Sequence, residues 1–246
     1  MGDRSPALVP RSSLIAVVLS FAAAGCAEDL TISSADHGRD LYNSKALSSS
    51  NLNNYTCANC HTLERTEGGL LLPGGPLAGS TRRLSLWGGQ ENDLLRSINA
   101  CRSYFMLAPE PLKADEPDAE ALYAFLKSLE PGDPEPVPFT VVRMIEPIAR
   151  GDADAGTLGY TRTCGYCHGT MHGGLGRLSD RVPVLPEDTI AEHIDYTPRD
   201  LRLVFIEKVR HGRFYGYGGD MPPFSTEVLS DPELANILEA LGIFGE

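Results

Sequence analysis

Two stretches of this chain repeat one pattern of apolar and polar positions. In Asp231-Pro-Glu-Leu-Ala-Asn-Ile-Leu-Glu-Ala-Leu241, the residues Leu234, Ile237, Leu238 and Leu241 fall at i, i+3, i+4 and i+7. That spacing lines one face of an amphipathic helix. Glu116-Pro-Asp-Ala-Glu-Ala-Leu-Tyr-Ala-Phe-Leu126 has the same layout, with Leu122, Phe125, Leu126 and Leu129 on one face. Pro117 and Pro232 each suit a first helical turn, where a missing N–H costs nothing. The two prolines are 115 positions apart, and the same offset carries Met106 onto Met221. The pattern predicts two amphipathic helices related by an internal repeat.

A third apolar run is of another kind. Arg4 and Arg11 precede Leu14-Ile-Ala-Val-Val-Leu-Ser-Phe-Ala-Ala-Ala24, which leads into Gly25-Cys26. A basic start, a short apolar stretch and small residues at a cleavage point form a secretory signal over residues 1–25. The run is too short to span a bilayer, which takes about 20 residues. Ala24-Gly25-Cys26 also resembles a bacterial lipobox, although Ala23 stands where Leu is usual. Cys26 is thus either a lipidated first residue, anchoring the protein to a membrane, or a spare thiol after ordinary cleavage. Both routes place the protein outside the cytoplasm, in the periplasm or beyond.

Composition narrows the partners. The 246 residues hold 21 Lys and Arg against 33 Asp and Glu, a formal charge of −12. Nucleic acid is excluded as a partner for want of a cationic footprint. An acidic surface favours basic-surfaced protein partners, mainly by speeding encounter. Glu130-Pro-Gly-Asp-Pro-Glu-Pro-Val-Pro138 reads as the start of a Pro-rich, semi-rigid linker, bounded at residues 131–147. Phe139–Pro147 is apolar enough to lie along a surface between domains.

The chemistry lies in the cysteines. Cys57-Ala-Asn-Cys60-His61 and Cys164-Gly-Tyr-Cys167-His168 share C-x-x-C-H, the attachment signature of c-type haem. Two thiols three positions apart on a helical turn can each form a thioether with one haem vinyl group. The adjacent histidine then supplies the proximal nitrogen to iron. A thioredoxin-like pair would need a βαβ context, and a zinc ribbon would need its four cysteines close together. These pairs lie 107 residues apart. Two covalently bound haem c groups are expected. A distal thioether would come from Met221, in Gly218-Gly-Asp-Met221-Pro-Pro-Phe224, and from Met106 in the first half.

On these motifs the chain resembles class I c-type cytochromes in tandem, with domains at 34–130 and 148–246. Each half offers an N-terminal helix (around Gly38–Tyr42 and Gly151–Gly156), the haem motif, a middle helix, a methionine loop and a final helix. The resemblance implies an all-α fold with terminal helices that cross beside the haem. It also implies a dihaem electron carrier, with His61 and His168 as proximal ligands.

Cys101 leaves a second possibility open. Ile98-Asn-Ala-Cys101-Arg-Ser-Tyr-Phe-Met106 is similar to a segment of dihaem thiosulfate dehydrogenases, in which a cysteine thiolate is the distal ligand of the first haem. That likeness would put Cys101, not Met106, on the first iron and make the chain an oxidoreductase. Leu107-Ala108 departs from the Asn-Gly expected there. Arg82 and Arg83 would then bind an oxyanion; otherwise they pair with haem propionates or stay solvated. Cys101 could equally be a small buried hydrophobe or a disulfide partner of Cys26. His37, His172, His193 and His211 are read as surface or haem-edge residues. Trp87 is expected to pack on the first haem, to hydrogen-bond a propionate, or to serve the core.

Overall fold

The computed structural model describes Gly2 and residues 34–64, 68–212 and 220–245. The expected signal segment and Cys26 lie outside these residues. Met1–Thr31 separates from Ile32–Glu246, and all that follows concerns the second unit. Among its described residues there are eight α-helices and four short 3₁₀ turns, with no strand beyond one isolated Leu86–Glu91 bridge. No helix among them is long and apolar enough to cross a membrane.

The helices fall into two similar series. The first comprises α1 (Ser34–Asn43), α2 (Leu94–Tyr104) and α3 (Pro117–Ser128). The second comprises α4 (Ala153–Arg162), α5 (Gly165–His168), α6 (Glu187–Glu192), α7 (Pro198–His211) and α8 (Asp231–Ala240). Pro117 opens α3, and α8 begins after a Ser230 cap whose hydroxyl accepts from the Glu233 N–H. Leu122, Phe125 and Leu126 are buried on α3, as are Leu234, Ile237 and Leu238 on α8. These faces meet the helix that opens each series: α1 packs on α3, and α4 on α8.

A glycine sets each crossing. A Cβ on Gly38 would lie 2.0 Å from the Ala121 carbonyl oxygen, and one on Gly156 would lie 1.9 Å from that of Asn236. The backbones therefore touch directly, with no room for a side chain between them. Each glycine is followed four residues later by a buried tyrosine, Tyr42 or Tyr160. Gly151 was expected inside the second N-terminal helix. It instead precedes the Asp152 cap of α4 and lies against Ala235 and Asn236.

Residues 131–147 carry no helix and contact both halves. Gly132 crosses the backbone of Ala78 and Gly79, and Val137 covers Gly75. Farther on, the Thr140 N–H donates to Glu227 Oε2 at 3.0 Å, and Ile145 packs against the core of the second half. Partial burial of Val137 and Ile145 makes the segment a strap rather than a spacer held off the surface. Direct contacts join the halves as well. The Leu71 N–H donates to the Arg162 carbonyl at 2.9 Å, Arg162 Nε to the Gly69 carbonyl at 2.9 Å, and the Tyr55 hydroxyl to the Asp220 carbonyl at 3.1 Å.

Gly156→Ala tests the crossing. The added methyl should force α4 off α8 at a cost of about 1–3 kcal/mol. At roughly 2–4 °C per kcal/mol for a chain of this size, the melting temperature should fall by several degrees. An unchanged melting temperature would show that the helices do not depend on this contact.

Candidate haem sites

Both C-x-x-C-H segments fold into the same turn. The His61 N–H donates to the Cys57 carbonyl at 2.9 Å, and the His168 N–H to the Cys164 carbonyl at 2.8 Å. One helical turn brings the first cysteine and the histidine onto one side. Asn59 braces the first turn by accepting from the Thr56 N–H at 2.7 Å, while the second turn is α5 itself, capped by Cys164.

The two imidazoles are oriented alike. His61 Nδ1 lies 2.8 Å from the Gly75 carbonyl oxygen, and His168 Nδ1 lies 2.8 Å from that of Pro183. A carbonyl can only accept, so Nδ1 carries the proton and Nε2 is left with a lone pair. Burial lowers the pKa of both rings and keeps them neutral. A neutral imidazole held through Nδ1 is the arrangement of a metal-ligating histidine. Gly74 lets the chain lie flat on the first ring, since a Cβ there would come within 2.5 Å of it.

Around His61 opens an apolar cleft of about 220 Å³. Cys57, Cys60, Cys101 and Met106 all line it. Cys101 reaches it from the face of α2 that also presents Leu94 and Ile98, while Met106 follows the helix and is buried with Leu41, Leu47 and Leu122. Both candidate distal sulfurs thus border one cavity. Burial pushes the Cys101 thiol up to about 12, with Cys57 adding to the rise. It pushes Cys57 to about 11 and Cys60 well above its ordinary value, where Cys101 and Cys167 contribute too. No disulfide joins the five described cysteines.

The arginine pair divides. Arg83 lines the cleft and donates to the Pro76 and Ala78 carbonyls, both at 2.8 Å, while its Nε is buried without a hydrogen-bond partner. Ser80 Oγ, on the same wall, is buried and unpartnered too. Arg82 instead pairs with Glu130 and donates to the Gly132 carbonyl, so the two arginines do not form a joint oxyanion clamp. Trp87 does line the cleft, but its indole N–H donates to the Ser97 carbonyl at 3.2 Å rather than facing an anion, and its ring stacks on Phe105. His37, His172, His193 and His211 each lie beside a carboxylate, those of Asp118, Glu187, Glu192 and Glu207.

In the second half, Cys164 and His168 are buried, and burial pushes the Cys164 thiol up to about 12. Met221 packs against the same apolar core that contains Cys164, and so does Met171, which the sequence did not single out. Arg210 was also missed. Its side chain is 1% exposed and donates to the carbonyls of Phe224 at 3.1 Å and Leu229 at 2.7 Å, and to Asp231 at 2.6 Å. It thereby ties the chain that follows Met221 to α7.

Residues 151–239 match the family model described as cytochrome C oxidase, cbb3-type, subunit III. The matched stretch, in the C-terminal half, is similar to a cbb3-type cytochrome c domain. The match supports a class I c-type cytochrome, with covalent haem c and electron transfer as its general chemistry. No curated protein matches the chain. The residues around both turns suit such a group. They offer paired thiols, an imidazole with a free Nε2 and, in the first half, an apolar cleft with unpartnered donors for a carboxylate-bearing edge.

Arg210→Leu should leave the Phe224, Ser225 and Leu229 carbonyls behind Met221 without their buried donor, destabilising the protein by roughly 3 kcal/mol. Urea unfolding should show a lower midpoint at unchanged slope. A loss below about 1 kcal/mol would mean that other contacts hold this segment.

Proposed function

We propose that the chain is an exported dihaem c-type cytochrome that passes single electrons between redox protein partners. The observation that carries this reading is the recurrence of one geometry in both halves: a C-x-x-C-H turn whose histidine is held through Nδ1 by a carbonyl 14 or 15 residues farther along. Haem bound at such a turn supplies a one-electron iron couple. Cys57 and Cys60 would anchor one ring and Cys164 and Cys167 the other, with His61 and His168 as proximal ligands. Met221 would be the second protein ligand held toward the second group and Met106 that toward the first. Arg83 and Ser80 would bind the carboxylates of the first group. A methionine in addition to the histidine would leave the metal no open position for a substrate, which suits a carrier. The acidic surface would steer basic-surfaced partners to it. The signal at Leu14–Ala24 supports a periplasmic location, and a lipidated Cys26 would add a membrane anchor.

The position of Cys101 on the cleft wall favours one second reading. With its thiolate on the first iron in place of Met106, the chain becomes an oxidoreductase of the thiosulfate dehydrogenase type.

Electron paramagnetic resonance of the oxidised holoprotein separates the two. Two low-spin signals of the His/Met type, unchanged in Cys101→Ala, together with no thiosulfate-dependent turnover, are expected. A thiolate-type signal and turnover that both vanish in Cys101→Ala would replace the carrier by the enzyme.

A further inference from the structure

The segment bearing Met221 is held from both halves of the molecule. On one side, the Phe224 N–H donates to the Val209 carbonyl at 2.8 Å, and the end of α7 presses against it at Gly212. A Cβ on Gly212 would lie 2.4 Å from the Met221 carbonyl oxygen. On the other side stands Tyr55, two residues before Cys57. Its ring packs with the core of the first half, and its hydroxyl donates to the carbonyl of Asp220, the residue before Met221. Pro222 and Pro223, the next two residues, line the cleft of the first half. Four consecutive residues thus pack a thioether against the core of the second half and set two proline rings on the cleft of the first.

We propose that Tyr55 is a positioning residue for Met221, so that axial ligation at the second haem is set in part by the first half. This rests on the reading of Met221 as a distal ligand. A thioether is a weak ligand on a neutral side chain, so its hold depends on how far the backbone beneath it is fixed in advance. The Tyr55 hydroxyl removes freedom from that backbone at the residue next to the ligand. Because the tether starts two residues before Cys57, it also joins the attachment turn of one haem to the distal loop of the other.

Tyr55→Phe in the dihaem protein removes one oxygen and keeps the ring. The measurement is imidazole titration of the oxidised protein, following the near-infrared charge-transfer band of methionine-ligated ferric haem. Met221→Ala identifies the share of the band that belongs to the second site. In Tyr55→Phe, imidazole should displace that share at about fivefold lower concentration, the change expected from losing one hydrogen bond. The first site should titrate as in the parent protein. Equal imidazole affinity in parent and Tyr55→Phe, with Met221→Ala removing its share of the band, would overturn the role of Tyr55 alone. A band undiminished in Met221→Ala would overturn the ligand reading and the tether with it. Equal weakening at both sites would mark Tyr55 as a general packing residue and would also overturn the proposal.

Discussion

The contact on which this structure depends is backbone against backbone where the first and last helices of each half cross. Gly38 meets Ala121, and Gly156 meets Asn236, at separations that exclude even a methyl group. Close approach lets Leu122, Phe125 and Leu126 in one half, and Leu234, Ile237 and Leu238 in the other, bury against the opposing helix. With that frame fixed, the C-x-x-C-H turn that follows each opening helix has a defined place. In the first half the link is explicit, since the Tyr42 hydroxyl of α1 donates to the His61 carbonyl at 2.6 Å.

The frame also explains how two sites come to share one body. The first cleft takes Val137 and Phe139 from the strap and Pro222 and Pro223 from the second half. The Met221 segment in turn is gripped by α7 and by Tyr55. The first cleft therefore takes part of its lining from beyond its own half.

Much of this was legible in the sequence, for physical reasons that differ by feature. The haem motifs are covalent requirements and fix residue types at fixed spacing, so Cys57, Cys60, His61 and their counterparts stood out. The final helices were legible from the period of Leu122, Phe125 and Leu126 and of Leu234, Ile237 and Leu238. Gly-x-x-x-Tyr, at Gly38–Tyr42 and Gly156–Tyr160, was a readable repeat that the apolar pattern hid, because glycine adds nothing to an amphipathic face. The roles of Tyr55 and Arg210 could not be read at all. Their partners are backbone carbonyls of distant residues, and a carbonyl carries no sequence signature. The split of Arg82 from Arg83 was hidden likewise, since adjacent residues look like one cluster until Glu130 claims the first of them. Cys101 and Met106 stay rivals because α2 and the residues after it deliver both to one cleft.

The central claim is that both C-x-x-C-H turns carry haem within this one body. Intact mass of the purified chain, paired with a pyridine haemochrome assay, tests it most directly. The account predicts two covalent haems per chain, one lost in Cys57→Ser/Cys60→Ser and the other in Cys164→Ser/Cys167→Ser. A single haem per chain in the parent protein, lost only with the second pair, would contradict it.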